Sequence, residues 1–478
     1  MDKTRTFSII TYGCQMNVAD SEMIAGVLVK LGFSQIADFK KADLVLVNTC
    51  AVRVKPEEKV YGRMSALQHL KEKNPLVLIG LCGCLAQKER EKIVERAPFV
   101  DLVFGPQSIG ELPELIAAAE RSVNHKRAQM KRLKPNQKLK SRLRGAALMG
   151  NFENTGDTLP EKDVSRESDF KAYVTVMRGC DNFCSYCVVP YTRGREKSRP
   201  FETIVGEVEE LVAAGYREIT LLGQNVNSYN GGHGKAFPDL LRRLDRIDGK
   251  FYIRFLTSHP QDLSDDLIDA MATCPHVAPH AHLPVQSGST DVLKAMNRRY
   301  SREHYLSLVD KMRSRIPHIT LTTDIIAGFP GESDADFEDT LSLLEKVRFD
   351  SAFLFFYSER EGTAALALPG SLPVEVRLKR LDRLIEEQMR ITFDVNRSMV
   401  GEIHEGIIEG FSPKNKKEFT VRTFDNHVVI VKAPDGGEPL KFGDFITMKI
   451  TEGFNFVLKG EITSDFQGRS NAKLIMRP

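Results

Sequence analysis

Eight cysteines punctuate the 478-residue chain, at positions 14, 50, 82, 84, 180, 184, 187 and 274. Three stand close together in Arg178-Gly-Cys-Asp-Asn-Phe-Cys-Ser-Tyr-Cys187, where Cys180, Cys184 and Cys187 have the spacing C-x3-C-x2-C. Thiolates are the usual ligands of iron–sulfur clusters. Three of them leave one iron of a four-iron cluster open, and an open iron can bind a small molecule and pass it an electron. A structural zinc site wants a fourth protein ligand, and none lies nearby in the sequence. Cys14, Cys50 and Cys84 form a second set, because each follows a β-rich run. In an open α/β sheet, ligands bind outside the carboxyl ends of the strands. The three are therefore expected on one edge, sharing a ligand, with Gly13 and Gly83 letting the backbone turn tightly beside them. Cys82 should point the opposite way from the strand and pack. Cys274, at a predicted helix end, is expected to be inert.

The elements that must position these residues follow from the pattern of apolar residues. Over residues 5–121, β-rich runs at Phe7–Tyr12, Asp43–Asn48, Leu76–Leu81 and Val100–Phe104 alternate with helical patterns at 17–31, 56–71, 87–96 and 111–120. Runs this apolar imply a parallel sheet covered on both faces, and right-handed crossovers make it doubly wound. Residues 122–165 show no periodicity and read as a linker, opening with a block at 126–144 that holds nine Lys/Arg and no acid. Residues 166–397 return to alternation, with strands expected near 172–177, 217–222, 251–256, 279–284, 319–327 and 351–357 and a long helix at 374–396. Six such units suggest a partial (βα)6 barrel. Residues 399–463 carry short β-rich runs spaced by turn residues, the signature of a small five-stranded, OB-like barrel. The fold class is thus α/β with an all-β end.

Composition sets the outer bounds. With 42% apolar and 27% charged residues the chain reads as globular, and 34 Gly with 22 Pro exclude a collagen-like or wholly disordered polymer. The longest apolar run, Leu76–Ala86, is far below the ~20 residues that span a bilayer, and the apolar stretch near the N-terminus is too short for a signal peptide, so no membrane partner and a cytoplasmic location, or an organelle matrix after loss of a transit peptide, are expected. Without a secretory signal the cysteines point to metal or redox chemistry rather than disulfides. Net charge is only +3, so the basic block sits in a chain that is otherwise acidic. It suits an anionic partner or a solvated spacer, and composition leaves both open.

With these residues in place, the C-x3-C-x2-C loop, with Tyr186 before its last cysteine, resembles the radical S-adenosylmethionine (SAM) superfamily. Leu222-Gly-Gln-Asn225 occupies the polar loop that binds the SAM amino group in that superfamily, which implies Gln224 and Asn225 as contacts. His282-Leu-Pro-Val-Gln-Ser-Gly-Ser289 and Asp324-Ile-Ile-Ala-Gly-Phe-Pro-Gly-Glu332 resemble the later motifs beside ribose and adenine, which implies Gln286, Ser287, Asp324 and Gly328. The whole chain resembles the methylthiotransferases, which join an N-terminal three-cysteine domain (here 5–121), a radical SAM core (166–397) and a TRAM domain (399–463). Thr11-Tyr-Gly-Cys-Gln-Met-Asn17, Asn48-Thr-Cys-Ala-Val-Arg53 and Gly83-Cys-Leu-Ala-Gln87 carry the N-terminal part of that likeness. Val188-Val-Pro-Tyr-Thr-Arg-Gly-Arg195 and Gln224-Asn-Val-Asn-Ser-Tyr229 are similar to the branch that modifies isopentenyl-adenosine in tRNA. Glu359 and Glu361 depart from the family, standing where prolines are more usual, and the basic linker is longer than expected.

The resemblance implies two 4Fe–4S clusters. Cys180, Cys184 and Cys187 would hold the one that binds SAM and cleaves it to a 5′-deoxyadenosyl radical. Cys14, Cys50 and Cys84 would hold an auxiliary one carrying the sulfur to be methylated and donated. The implied reaction adds a methylthio group to C2 of N6-isopentenyladenosine beside the anticodon. A tRNA anticodon stem-loop would be the macromolecular partner and a flavodoxin or ferredoxin the kind of electron donor. No catalytic side chain is expected, because the cofactors carry the chemistry. The same chemistry on a ribosomal protein or on threonylcarbamoyl-adenosine is the runner-up, and a non-enzymatic iron–sulfur RNA-binding redox sensor is the reading of another class. Around this core, His259 in Ser258-His-Pro260 and His282 could face SAM or substrate, or be structural. Arg193, Arg195, Lys197 and Arg199 could meet phosphates or form a solvated loop. Lys414, Lys416 and Lys417 are a local basic patch on the small barrel. Phe353, Phe355 and Phe356 are expected in the core.

Overall fold

A computed structural model of the protein describes residues 5–51, 54–130, 145–153, 164–433 and 439–463. Its first sheet grows outward from two runs that are apolar at nearly every position. β3 (Leu44–Thr49) and β4 (Leu78–Gly83) are buried throughout. Alternate residues feed two separate cores, Leu44, Leu46 and Leu78 on one face and Val45, Val47, Ile79 and Leu81 on the other. Helices α1 (Gln15–Lys30), α2 (Val54–Lys73), α3 (Cys84–Glu89), α4 (Glu91–Arg96) and α5 (Leu112–Met130) connect and cover the strands. With β1 (Arg5–Tyr12), β2 (Phe33–Gln35), β5 (Leu102–Phe104) and β6 (Leu148–Met149), the sheet runs β2-β1-β3-β4-β5-β6, every pair parallel. This is the expected doubly wound unit.

Two details differ from the sequence pattern. The helix expected over 87–96 is broken at Arg90, whose φ of 45° ends α3 and starts α4. The expected linker 122–165 is ordered at both flanks of its basic block. Helix α5 continues to Met130, and β6 adds a sixth strand through Leu148 N to Asp101 O (2.8 Å) and Gly150 N to Val103 O (2.8 Å). Two paired residues are too few to show a period. Residues 131–144 of the block lie outside the described residues.

The second unit carries β7 (Lys171–Thr175), the small pair β8 (Met177–Arg178) and β9 (Lys197–Ser198), then β10 (Glu218–Leu222), β11 (Tyr252–Phe255), β12 (His280–His282), β13 (Thr320–Ala327) and β14 (Ser351–Phe356). β7, β10 and β11 form one parallel sheet and β12, β13 and β14 another. Ile253 N to His276 O (2.7 Å) and Ala278 N to Ile253 O (2.9 Å) join them. Six parallel strands therefore follow each other in chain order, the expected partial barrel. Its helices start on side-chain caps such as Ser264, Ser301 and Ser333, which satisfy otherwise orphaned amides. The long helix Val374–Ser398 packs on β14.

The third unit is a closed barrel of β15 (Ile403–Ser412), β16 (Asn415–Thr423), β17 (Val428–Lys432), β18 (Phe445–Gly453) and β19 (Leu458–Ile462), in the order β15-β16-β17-β19-β18. It docks at the amino ends of the larger barrel's strands. Buried Arg254 pairs with Glu218 (2.7 Å) and donates to the carbonyls of Thr423 (2.7 Å) and Phe424 (2.9 Å). Tyr252 donates to Glu405 (2.8 Å), and Lys171 pairs with Glu409 (3.3 Å). Among the described residues no helix is long and apolar enough to cross a membrane.

Asp101 anchors both edges of the first sheet's last strands. Its carboxylate accepts from Lys71 Nζ (2.5 Å), Ile79 N (2.8 Å) and Ala146 N (3.0 Å), and the Lys71 and Asp101 side chains are 0% and 2% exposed. Removing one partner of a buried pair leaves the other charge uncompensated, at ~3–5 kcal/mol. Asp101→Ala should lower the first transition in denaturant unfolding by that order, and exposed substitutions nearby should not.

Candidate functional site

The first cysteine set is brought together by strand register. Tyr12, Thr49 and Gly83 lie on one rung of the sheet, and Cys14, Cys50 and Cys84 come one or two residues later. Glycine permits the tight backbone beside two of the three. A Cβ on Gly13 would stand 2.3 Å from Asn17 Oδ1 and 2.8 Å from Cys50 Cβ. A Cβ on Gly83 would stand 2.3 Å from Asn48 Oδ1, and φ there is +90°. The motif asparagines lock these loops: Asn17 Nδ2 donates to Asn48 Oδ1 (3.1 Å), and Asn48 Nδ2 donates to Asn17 O (2.8 Å) and Ser21 Oγ (2.9 Å). A hydrogen bond with Cys50 lowers the Cys14 thiol to about 6, against burial and with help from the Arg193 guanidinium. Burial pushes Cys84 up, and Arg193 opposes that shift. Cys82 is fully buried with its Sγ toward Val47 O (3.7 Å), a packing residue as expected.

The second set lies on the loop between β8 and β9. Cys187 N donates to Cys184 O (2.9 Å), Val189 N to Cys187 Sγ (3.4 Å) and Cys180 N to Gly194 O (3.1 Å). Burial pushes Cys180 to about 11 and Cys187 to about 12, so these thiols keep their protons until a metal displaces them. Arg298 is buried beside them. Its Nη1 meets Tyr186 Oη (3.0 Å) and Cys184 Sγ (3.8 Å), its Nη2 donates to Pro284 O (2.7 Å), and its Nε meets Tyr300 Oη. Among the described residues no three donors stand close enough to share one metal ion. A single-ion zinc site is therefore not preformed. Three thiols are the donor set of a four-iron cluster with one iron left open, and each set supplies three.

Beside Cys14 of the first set opens a cavity of about 770 Å³, which none of the other cysteines lines. Cys14 and Gln15 line it from the first unit; Thr220, Thr257, His282, Thr322 and Asp324 give it a polar wall in the partial barrel. Of the six residues expected around SAM, only Asp324 is in this lining. Gln224 Oε1 accepts from Gly179 N (2.5 Å) and so holds the Cys180 loop. Asn225 Nδ2 donates to Asp262 (2.6 Å), leaving Oδ1 buried without a partner. Gln286, at φ 69°, also has a buried Oε1 without a partner. Ser287 faces Thr340 (3.4 Å), and a Cβ on Gly328 would stand 2.6 Å from Arg377 Cγ. Asn225 and Gln286 thus each keep one buried acceptor unmatched, whereas Gln224, Ser287 and Gly328 fix backbone.

The other candidates divide. His259 is buried, and burial pushes it down to about 2, so it is neutral. His282 bonds Thr322 (3.0 Å) and lies 3.5 Å from Asp324 inside the cavity. Arg193 and Arg199 are not solvated: they pair with Asp20 (2.6 Å) and Glu207 (2.8 Å) in buried surroundings. Arg195 is exposed and pairs with Asp181 (2.9 Å). Phe353 is not core. It is 49% exposed, pairs in register with Asp324 and meets His282 edge-on at 5.9 Å. β14 is the last strand of an unclosed barrel, so its inner face opens on the cavity. The unusual Glu361 pairs with Lys92 (3.1 Å) and Glu359 with Arg377 (3.1 Å), while Arg360 donates to Ala51 O (2.9 Å) beside Cys50. Sequence reasoning missed Asp20 and Arg298, for which no local pattern exists.

Residues 174–344 match the radical SAM superfamily, and residues 6–105 match Uncharacterized protein family UPF0004. The tRNA-2-methylthio-N(6)-dimethylallyladenosine synthase of Syntrophomonas wolfei is 46% identical over 467 residues, covering 97% of this chain and 99% of that protein. The protein of the same name in Carboxydothermus hydrogenoformans is 44% identical over 460 residues, covering 95% and 99%. Among solved structures, the radical S-adenosylmethionine methyltransferase TsrM from Kitasatospora setae aligns with a TM-score of 0.52 at 15% identity, over 76% of this chain and 77% of that one. That last likeness is one of fold.

Groups that orient metal ligands typically matter 10–100-fold in metal affinity. Arg298→Leu should weaken cluster uptake at Cys180, Cys184 and Cys187 by about that factor. Iron bound after anaerobic reconstitution should fall toward that of a chain lacking those three cysteines.

Proposed function

The chain belongs to the tRNA-2-methylthio-N(6)-dimethylallyladenosine synthases of the radical SAM superfamily, and on that premise we propose how its residues divide the work. The enzyme adds a methylthio group to C2 of isopentenylated adenosine in tRNA. Its cofactors are two 4Fe–4S clusters and SAM, which when bound supply the electron, the radical and the sulfur that no side chain here can. The observation that carries the reading is that Cys14 lines the same cavity as His282, Asp324 and Phe353. Sulfur delivery and hydrogen removal both need access to one carbon, and a shared cavity supplies it.

In this reading residues 5–121 form the auxiliary-cluster domain, with Cys14, Cys50 and Cys84 as ligands. Residues 166–397 are the radical SAM core, with Cys180, Cys184 and Cys187 as ligands. Residues 399–463 are a TRAM domain, and the basic stretch between the first two units is a linker available to phosphates. Asn225, Gln286 and Asp324 contact SAM, and the free acceptors on the two amides support that role for donors such as its ammonium and ribose hydroxyls. Gln224, Ser287 and Gly328 shape that pocket through the backbone. The anticodon stem-loop is the part of tRNA received, a flavodoxin or ferredoxin is the class of electron donor, and tRNA as substrate supports a cytoplasmic location. The relatives' shared name supports tRNA over a ribosomal protein, and the cavity argues against a purely redox-sensing protein.

The cavity also suits the prenyl chain. Beside its polar residues stand Phe353 and Phe355 from β14, Ile385 and Met389 from the long helix, and Phe456 from the small barrel. Phe353, Ile385 and Phe456 are 49%, 39% and 80% exposed. Exposed apolar groups gathered around one cavity mark a binding face. A five-carbon prenyl group is the apolar part of this substrate. We assign these apolar residues to it.

Two outcomes follow from this division. Replacing Cys14, Cys50 and Cys84 by Ala should remove about half of the cluster iron and leave SAM cleavage, whereas replacing Cys180, Cys184 and Cys187 should abolish cleavage. Iron assay and release of 5′-deoxyadenosine read both; a first variant unable to cleave SAM would sink the assignment. Second, Phe353→Ala should reduce the preference in kcat/KM for isopentenylated over unmodified tRNA by about tenfold, since a hydrophobic pocket discriminates small apolar groups by ~1–3 kcal/mol. An unchanged preference would return Phe353 to a structural role.

A further inference from the structure

Arg193 is supplied by one unit and used in the other. It lies six residues after Cys187, at the end of the short helix Val189–Thr192, with its N bonded to Val189 O (2.8 Å). Its guanidinium reaches across to α1, where Nη2 donates to Asp20 Oδ2 at 2.6 Å. The side chain is 4% exposed, and its charge acts on Cys84 and Cys14. Its Nη1 is buried without a geometrically formed hydrogen bond, and the guanidinium lies against the Cys84 thiol.

A buried donor left unmade costs ~1–3 kcal/mol, and more when it is charged. Arg298, beside the other cysteine set, shows the satisfied version of this arrangement. Its Nη1 reaches Tyr186 Oη and Cys184 Sγ, and its remaining nitrogens bond Tyr300 and Pro284. Arg193 stands in the same relation to the first set, with Nη1 left between the unmatched Asp20 Oδ1 and the thiols of Cys84 and Cys14. An acceptor that completes it from the cysteine side is anionic or electron-rich. Sulfur of an iron–sulfur cluster has that chemistry, and hydrogen bonds to cluster sulfur tune reduction potential.

We propose that Arg193 is a positioning residue for the auxiliary cluster, donating its Nη1–H to a cluster sulfur and thereby raising that cluster's reduction potential. The inference rests on assigning a cluster to Cys14, Cys50 and Cys84. A cation held against the cluster favours its more negative, reduced form. Arg193 is held by Val189 O and Asp20 rather than by the core cysteines, so it stays in place when those cysteines are replaced.

The test uses the full-length chain with Cys180, Cys184 and Cys187 changed to Ala, reconstituted anaerobically, so that only the auxiliary set carries iron. Redox titration followed by electron paramagnetic resonance then reads one midpoint potential. Arg193→Met should retain iron and titrate at a lower potential. Asp20→Asn, which removes the negative partner and leaves the cation, should shift it upward. A residue that merely glued the two units would give both variants the same direction of change, because both break one ion pair. If Arg193→Met retains no iron, Arg193→Lys decides: one ammonium cannot serve Asp20 and the sulfur together, so its potential should also fall below that of the parent. An unchanged potential in whichever Arg193 variant keeps its iron overturns the proposal. Iron absent from the parent's auxiliary set overturns the cluster assignment itself, a different failure with a different readout.

Discussion

The relative placement of the two cysteine sets depends on buried charges around α1. Asp20 meets Arg193 at 2.6 Å and Arg178 at 3.5 Å; Glu22 meets Arg166 at 3.7 Å. Glu207 gathers Arg166 (2.7 Å) and Arg199 (2.8 Å) on the far side. The acids Asp20 and Glu22 belong to the first unit and all the arginines to the second. Such pairs add little net stability, because desolvation offsets attraction, but breaking one strands a buried charge. Two apolar faces could slide past each other at small cost. These charges allow one register. Cys14 caps α1 and Asp20 lies six residues on, about 9 Å along the axis. Pinning Asp20 therefore pins Cys14 relative to the loop that carries Cys187 and Arg193.

The unclosed barrel is the second determinant of the site. Six strands leave a gap between β7 and β14, and the long helix Val374–Ser398 and the small barrel line it. A full barrel would have filled its interior with strand side chains. Here the inner faces of β10, β12 and β13 remain polar, with Thr220, His282, Thr322 and Asp324, while the later elements contribute Phe353, Ile385, Met389 and Phe456. The result is a cavity lined by both polar and apolar side chains. A purine bearing a prenyl group has the same two characters. The small barrel closes the amino ends of the strands through Arg254, Tyr252 and Lys171, which leaves the carboxyl ends to the clusters.

What the sequence disclosed and what it hid follow one rule. Features carried by nearest neighbours were legible. The cysteine triplet, the strand-end cysteines with their glycines, the apolar strands and the small barrel all repeat or cluster locally, and each emerged where expected. Features carried by distant pairs were not. Asp20 and Arg193 are 173 residues apart, and Arg298 lies 114 residues from Cys184. Neither has a local pattern to betray it, so the Arg193 segment read as a phosphate-binding or solvated loop. Phe353 was misread for another reason. Apolarity reports a preference for burial, not what does the burying, and on β14 that is the cavity rather than the core. β6 and the break at Arg90 escaped because each involves fewer residues than one period.

The same distinction explains the six residues expected around SAM. A motif resembles its family as a whole, yet its members do different physical work. Gln224 bonds Gly179 N and thereby shapes the turn before Cys180; Gly328 lets the backbone approach Arg377; Ser287 faces the neighbouring helix at Thr340. None of these needs to touch a ligand to be required by it. Asn225 and Gln286 keep one buried acceptor each unmatched, and the strained φ of Gln286 is held by its backbone bonds to Asp324 and Ile326. Unmatched polar atoms inside a protein are costly to maintain without a role. In this chain the buried unmatched atoms Asn225 Oδ1 and Gln286 Oε1 belong to the pocket motifs, and Arg193 Nη1 belongs to the first cysteine set. Other buried unmatched atoms, such as Thr420 Oγ1 and Asp425 Oδ1 in the small barrel, lie where no cofactor is assigned, so the unmatched state alone names no ligand. At Gln286 it coincides with a pocket motif and a backbone held at positive φ, and that conjunction is what points to a ligand.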